Sequence, residues 1–487
     1  MEDFFYRRKA SYGRLPLALR SGIATAVQCL PPHLWHGLFY GAYTRRIDRF
    51  FAGQDAARVA SLQWELVCDT VNWAVRHVPF YAGRRPLGDE RDLREFPIVT
   101  KADYQEHMSA FLAPAARRHA LPANTGGSSG VRMDFFLHKG RSRPKEKAHS
   151  DWYTSLFGWT RRSRVLVVRG KALQRNRLFE RQTLNSRLAV SCHDITEANI
   201  GRVVDAIQAF RPEFILAYPS ALMVFTKLLG DVSALGSERP LKAVFLGSEV
   251  LSDPDRRWFA QFYRTRIVSW YGHSECVLHG GCVPESDDYH FFPFYGYAEL
   301  VDEDGKEIVE PDRVGRIVGT SFDNRVMPFI RYDTGDLGVR SSRQSPHDAY
   351  GSLVVRRIEG RGRDIVYLRD GSRISMTSFF FAQRFPQLTK VRELQLEQQV
   401  AGRLLMRIVK RPEYREEDER EIVNRLVHSV SGRLDVSVVY VDQIPKTLRG
   451  KHVFLVQRLH DQDLPRVDDI AFRSDADGTA HTEAQIR

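Results

Sequence analysis

Cysteine is scarce: the 487 residues include five, Cys29, Cys68, Cys192, Cys276 and Cys282. An odd handful in so long a chain argues against a disulfide framework and fits a reducing compartment, so a cytoplasmic protein is expected. Long apolar runs are missing too. The most apolar N-terminal stretch, Leu15 to Tyr43, is broken by Arg20, Pro31, Pro32, His33 and His36. A spanning helix needs about 18 apolar residues in a row, so none is expected. The stretch reads as helix packed on the main body, with peripheral membrane contact as the other reading. Met1-Glu-Asp-Phe-Phe lacks the basic start and apolar core of a secretory signal. There is no internal repeat and no Walker-type Gly-x4-Gly-Lys-Ser/Thr loop. The net charge is +12, yet the basic residues form no single block, the clearest local excess being Arg161 to Arg187. No nucleic-acid recognition motif accompanies them, so the charge is read as serving small anions and no nucleic-acid partner is expected.

What is present is the composition of a soluble globular chain, 43% hydrophobic and 27% charged, long enough for two to four domains. Residues 1–110 read mostly as helix. Within Ala56–Val78, the side chains of Ala60, Trp64, Val67, Val71, Ala74, Val75 and Val78 share a helical face that ends before Pro79. Thr100 reads as an N-cap. From residue 150, short apolar runs at Val165–Val168, Phe214–Ala217, Ala243–Leu246 and Ile267–Trp270 alternate with helical windows at Ile200–Phe210, Ser220–Leu229 and Pro254–Phe262. That alternation predicts an α/β fold, a large N-terminal domain of parallel or mixed sheet covered by helices. Ligands in such sheets sit beyond the carboxyl ends of the strands. Short strands and turns follow over 291–345, and 360–364 reads as a linker. A smaller α/β domain comes next, with strands at Ile365–Leu368, Leu394–Gln398, Leu404–Val409 and Val436–Val441 and a helix over 416–431. Residues 461–487 are polar and poor in large apolar groups, and read as a disordered tail.

Five polar motifs, with a further short segment at 247–249, lie along this frame. Thr125-Gly126-Gly127-Ser128-Ser129-Gly130 packs three glycines and three hydroxyls together. Glycines let backbone N–H groups approach phosphates, and hydroxyls add donors. Tyr271-Gly272-His273-Ser274-Glu275 and Gly247-Ser248-Glu249 both follow apolar runs directly. Arg331-Tyr-Asp-Thr-Gly-Asp336 supplies further carboxylates, preceded by Gly315-Arg-Ile-Val-Gly-Thr and Met327-Pro-Phe-Ile. Gly360-Arg361-Gly362-Arg363-Asp364 is a charged linker, and Pro445-Lys-Thr-Leu-Arg-Gly-Lys451 ends in a cation on a flexible stem.

In order and spacing these motifs resemble the adenylate-forming superfamily of acyl-CoA synthetases, luciferases and adenylation domains. His77-Val-Pro-Phe-Tyr, Phe96-Pro-Ile-Val-Thr-Lys and Arg211-Pro-Glu-Phe-Ile-Leu-Ala-Tyr-Pro-Ser-Ala-Leu narrow the resemblance to phenylacetate–CoA ligase and its relatives in capsular and cell-surface polysaccharide clusters, over about residues 60–457. The first 50 residues are closer to the polysaccharide-cluster branch. The resemblance implies a core over 1–359, a hinge at 360–364 and a mobile domain over 365–460. It implies that the 125–130 loop steadies the phosphates of ATP, that Glu275 holds Mg2+, and that Gly247–Glu249 and Tyr271–Ser274 line the nucleotide site. Asp336 and Arg361 would meet the ribose, Arg363 would be the pivot and Lys451 the catalytic cation. Two departures stand out: Gly126 replaces a serine, with Arg132 as the nearest cation, and arginine stands at the pivot where relatives carry Asp or Lys.

The implied activity is ATP-dependent activation of a carboxylic acid, with transfer to coenzyme A. Transfer to an amine and a catalytically silent basic binding protein are the alternatives. The acid is expected between Tyr218–Leu222, Gly247–Glu249 and Tyr271–His273, with Tyr218 and Tyr271 as aromatic walls suited to a flat aryl acid. His273, Cys276, His279 and Cys282 recur every three residues, with His290 close by. They offer nitrogen and sulfur to zinc, but the spacing does not match the usual finger frames, and a structural zinc is disfavoured.

Overall fold

The computed structural model describes residues 12, 15–51, 56–88, 93–125, 133–169, 177–191, 195–236, 240–251, 253–342, 353–361, 365–371, 373–376, 379–380, 385–430, 432–444 and 454–459. The chain divides into a large unit, residues 1–364 with 380–384, and a smaller one made of the rest.

The large unit opens with helices α1 (Leu17–Cys29), α2 (Pro32–His36), α3 (Leu38–Phe51), α4 (Ala56–His77) and α5 (Lys101–Glu106). Thr100 caps α5, its hydroxyl accepting from the Asp103 amide while Asp103 accepts from the Thr100 amide. On α4 the buried stripe runs through Val59, Gln63, Val67, Thr70, Val71 and Ala74. It is rotated from the face expected, and Ala60 points to solvent. The displaced polar member is satisfied, because Gln63 Nε2 donates to the Gly296 carbonyl at 3.2 Å.

Strands β1 (Ala120–Asn124) and β2 (Asp134–His138) form an antiparallel pair, followed by α6 (Ser142–Ser155). The main sheet is built from β3 (Val165–Arg169), β4 (Phe179–Gln182), β5 (Arg187–Ser191), β6 (Phe214–Ala217), β7 (Ala243–Leu246), β8 (Arg266–Gly272), β9 (His279–Val283), β10 (Ser286–Phe291), β11 (Gly296–Val301), β12 (Val314–Ser321), β13 (Tyr332–Arg340) and β14 (Val354–Arg361). Its order is β11-β12-β13-β14-β10-β9-β8-β7-β6-β3-β5-β4. The run β5-β3-β6-β7-β8 is parallel, and every pairing from β8 onward toward β11 is antiparallel. The fold class is the expected one, a mixed α/β core followed by a smaller α/β unit.

Strands β6 and β7 are apolar at every position because both faces are covered. Leu166, Val168, Ile215, Val244 and Leu246 pack under α7 (Ile200–Phe210), α8 (Pro219–Leu229) and α9 (Asp253–Tyr263). Val165, Val167, Phe214, Ala243 and Phe245 pack on the other side with Ile47, Phe50, Val59 and Tyr153. The N-terminal helices are therefore part of the core. Polar ties add to this: Arg46 grips Asp323 through two nitrogens at 2.7 and 3.1 Å, and the Tyr40 hydroxyl donates to Asp151 at 2.9 Å. No helix among the described residues is long and apolar enough to cross a membrane.

The smaller unit carries the hairpin β15 (Ile365–Tyr367)–β16 (Arg373–Ser375) and a sheet of β17 (Val391–Val400), β18 (Arg403–Lys410), β19 (Asp435–Tyr440) and β20 (Leu455–Gln457), in the order β19-β18-β17-β20. Helix α10 (Glu416–Ser429) crosses over from β18 to β19, and its first turn is Glu416, Glu417, Asp418 and Glu419, which suits the positive end of the helix dipole. The tail over 461–487 lies outside the described residues.

Candidate active site

Strand β8 is where parallel pairing gives way to antiparallel pairing, and its carboxyl end delivers the Tyr271–Glu275 motif. The Tyr271 hydroxyl donates to Asp336 Oδ2 at 2.8 Å. In return Tyr332, from the Asp336 motif, donates to Glu275 Oε1 at 3.0 Å. Each motif thus positions the other's carboxylate. Asp336 pairs across the β13–β14 ladder with Arg361, so the two residues expected at a ribose are backbone neighbours. The expected linker at 360–364 begins inside β14, because Gly360 and Arg361 belong to that strand.

His273 completes the arrangement. Its Nε2 lies 3.3 Å from the Leu278 amide, which can only donate, so a neutral ring carries its proton on Nδ1 and donates it to Glu275 Oε2 at 3.3 Å. Burial would push the Glu275 carboxyl up. Its interactions with His273 and the hydrogen bond from Tyr332 outweigh that and hold it down to about 2. Glu275 is therefore a buried anion at neutral pH. Two oxygens offer roughly four lone pairs, so capacity remains for a divalent cation. Mg2+ favours one or two carboxylates plus phosphate oxygens, and the donor set fits it.

Other residues of the 331–336 motif are structural. Arg331 is buried and ion-paired with Glu299 at 3.0 Å, and it donates to the Phe96 carbonyl at 3.1 Å. Asp333 accepts from Arg316 at 2.9 Å. The backbone of Val99 bonds to Arg331 and Asp333 at 3.0 and 2.9 Å, stitching the segment before α5 to this motif. Two residues on, Lys101 donates to Thr125 Oγ1 at 3.2 Å, and that oxygen also accepts from the Met133 amide at 3.0 Å. Lys101 is a cation beside the hydroxyl-rich loop that the sequence reading did not single out. Its signal was present, as the residue after a capping threonine in a motif used there only for resemblance.

Gly247 and Ser248 sit just past β7. A Cβ on Gly247 would overlap the Trp270 indole, with Cε2 only 2.5 Å away, and Ser248 takes a left-handed conformation at φ 67°. Ser248, Glu249 and Ser274 are exposed, whereas Gly272 is half-buried against Trp270. Tyr218 and Tyr271 do not share a core cluster: Tyr218 packs under the helices of the parallel half, and Tyr271 packs with Phe291 in the antiparallel half. Gly126, Gly127, Ser128, Ser129, Gly130, Arg132, Arg363 and Lys451 lie outside the described residues.

Three of the four histidines and cysteines spaced by three have other partners. His273 uses both ring nitrogens as above, and Cys282 donates to the Asp287 carbonyl at 2.9 Å. Cys276 lies 3.5 Å from the Ser274 carbonyl. Among the described residues no group of three or more His, Cys, Asp or Glu side chains is arranged to hold a metal ion.

Residues 184–321 match the AMP-binding enzyme family, and residues 366–458 match the CapK C-terminal domain. By fold the chain is similar to a 2-hydroxyisobutyryl-CoA ligase crystallised in the postadenylation state with R3-HIB-AMP, at TM-score 0.56 and 18% identity over 83% of this chain and 90% of that one. Fold and matched domains place the chain's similarity among AMP-binding enzymes. Among curated relatives, a phenylacetate-coenzyme A ligase of Thermus thermophilus is 27% identical over 58% of this chain and 65% of its own length, so the match spans just under two thirds of that relative. Protein CapK of Staphylococcus aureus is 20% identical over 76% of this chain and 81% of its own. Together these matches make the chain similar to phenylacetate–CoA ligase-like proteins, with CapK among the relatives.

Proposed function

We propose that this protein activates a carboxylic acid with ATP and passes the acyl group to a thiol, coenzyme A. A carboxylate oxygen attacks the α-phosphorus, the bond to the bridging oxygen breaks, and pyrophosphate leaves with the electron pair. The thiol sulfur then attacks the acyl carbon and AMP departs. The observation that carries this reading is the reciprocal lock of Tyr271 on Asp336 and Tyr332 on Glu275, which brings two motifs of one nucleotide chemistry together.

In this reading Asp336, held by Tyr271 and opposite Arg361, accepts from the ribose hydroxyls. Glu275 is the residue that would hold Mg2+, which when bound offsets charge on the phosphates. Thr125, Lys101 and the 126–130 loop position the leaving phosphates. Lys451 brings a positive charge to the developing oxyanions, and fixed charge of this kind is the main lever in phosphoryl chemistry. Rotation about Arg363 then withdraws Lys451 and admits the thiol.

The test is ATP–pyrophosphate exchange against a library of aryl, short-chain, long-chain and amino acids, followed by product masses with coenzyme A or amines added. An acyl-CoA product supports the thiol route. An amide identifies the amine route, and no exchange with any acid leaves a binding protein.

A further inference from the structure

Tyr218 and Tyr271, the aromatic walls expected for the acid, pack in separate core clusters. A cavity of about 2050 Å³, broadly open to solvent, lies within the large unit. Small-molecule sites usually span about 300–1,000 Å³, so this space far exceeds what an aryl acetate fills. At one end it is lined by Asn124, next to the hydroxyl-rich loop, and by Ser274 and Cys276, which flank Glu275. Its inner walls include Tyr153, Phe245 and Trp270. From there it runs beneath the N-terminal helices to Ile23, Trp35 and Phe39.

Three further observations bear on its occupant. His279 lines the cavity at 2% exposure, and its Nδ1 has no hydrogen-bond partner among the described residues. A buried polar atom left without a partner is costly, and a ligand polar group at this end would satisfy it. At the other end, Ile23 and Phe39 are both cavity lining and exposed at 41% and 39%, with Leu19, Leu30 and Leu34 exposed on the same helical segment and its flanks. The cavity thus opens on an apolar surface. Charged groups of its lining are tied up beside the N-terminal helices, Lys147 with Asp151 and Arg161 on the Leu30 carbonyl at 2.9 Å. Both lining carboxylates are engaged, Asp151 by Tyr40 and Lys147 and Glu146 by Tyr295. The apolar walls retain a tail.

We propose that the substrate is an amphiphilic carboxylic acid, its carboxylate at the Ser274–Cys276 end and its extended apolar tail running through the cavity to Ile23 and Phe39. The assignment rests on the acid-activating reading above. It replaces a small flat acid with a long-tailed one, and gives the N-terminal helices a part in binding.

The test separates the two. Quenching of intrinsic tryptophan fluorescence in the full chain, without ATP, is titrated with hexanoate, octanoate, decanoate and dodecanoate. Each buried methylene is worth about fourfold in affinity, so dodecanoate should bind at least about tenfold tighter than hexanoate. Ile23→Glu, at an exposed position that preserves folding, should erase that advantage, while Val309→Glu, at an exposed apolar residue outside the cavity, should leave it intact. Equal affinity along the series, or an Ile23→Glu protein indistinguishable from Val309→Glu, overturns the proposal. Exchange with phenylacetate and no dodecanoate binding sinks the cavity assignment alone. Dodecanoate binding with no exchange for any acid sinks the activation reading and leaves an amphiphile site.

Discussion

The Tyr271 hydroxyl donates to Asp336 Oδ2 at 2.8 Å, across 65 residues of chain. Tyrosine and aspartate come from different motifs on strands β8 and β13, which are not neighbours in the sheet. The bond therefore fixes a carboxylate rotamer that neither strand would fix alone. Tyr271→Phe keeps the ring against Phe291 and removes only the donor. A hydrogen bond to a charged group is worth about 1.5–3 kcal/mol, so KM for ATP in pyrophosphate exchange should rise roughly tenfold or more. The thermal midpoint should move by only a few degrees. An unchanged KM would detach Asp336 from the nucleotide.

Glu275 gives a pH signature. Its carboxyl is lowered from 4.5 in the free side chain to about 2 in the folded protein. A depressed acid contributes stability that is fully present above about pH 4.5 and is lost as pH falls toward 2. The displacement corresponds to on the order of 3 kcal/mol. Urea unfolding of the wild type and of Glu275→Gln should therefore differ most at pH 5–7, and the gap should narrow steadily on acidification. A gap that stays constant down to pH 3 would show that Glu275 is not held as the anion.

Arg331 is predicted to matter for folding more than for chemistry. Its guanidinium and the Glu299 carboxylate are 5% and 6% exposed and lie 3.0 Å apart. Removing one partner of a buried pair strands the other charge, at about 3–5 kcal/mol. Arg331→Met should lower the thermal midpoint sharply, and adding Glu299→Leu should restore most of it. If Arg331→Met melted like the wild type yet lost activity, the residue would belong to the site.

The parallel half of the fold was legible because its strands are covered on both faces. Phe214–Ala217 and Ala243–Leu246 have the bounds read from their apolar runs, and Ile200–Phe210 has the bounds read from its helical period. The antiparallel half was read only as short strands and turns. There β12 and β13, eight and nine residues long, hold Gly315, Gly319, Gly335 and Gly338 among polar side chains, which breaks the apolar run that marks a strand. The site's residue types were visible as motifs, but the crossed pairing of Tyr271 with Asp336 and Tyr332 with Glu275 was not. It depends on sheet order, which no local pattern encodes. Lys101 was hidden for a related reason, since its partner Thr125 is 24 residues away. The polar side chains on α4 misled in the opposite sense, because Gln63 faces the core only through its bond to Gly296.

Gly247 offers a test that needs no ligand. A methyl group there would drive into the Trp270 indole, and overpacking of this kind costs about 1–3 kcal/mol. Gly247→Ala should destabilise by that amount, and Trp270→Leu should relieve it in the double variant. Additive losses in the double-mutant cycle would mean that the indole is not what forbids the side chain.

Lys451 is the sharpest test of the chemistry. A single charge aimed at a developing oxyanion is worth roughly 10²–10³ in rate, and more where it has no substitute. Lys451→Ala should lower pyrophosphate exchange by at least about a hundredfold. A cation acting on the transition state contributes little to ground-state affinity, so ATP binding should stay within about tenfold. Lys451→Arg keeps the charge but not its compact shape, and should recover only part of the rate. If the proposed rotation withdraws the lysine before the thiol enters, thioester formation from a supplied acyl-adenylate should be spared in Lys451→Ala. Loss of both half-reactions together would place Lys451 in folding or acceptor binding, and full exchange in Lys451→Ala would remove it from the mechanism.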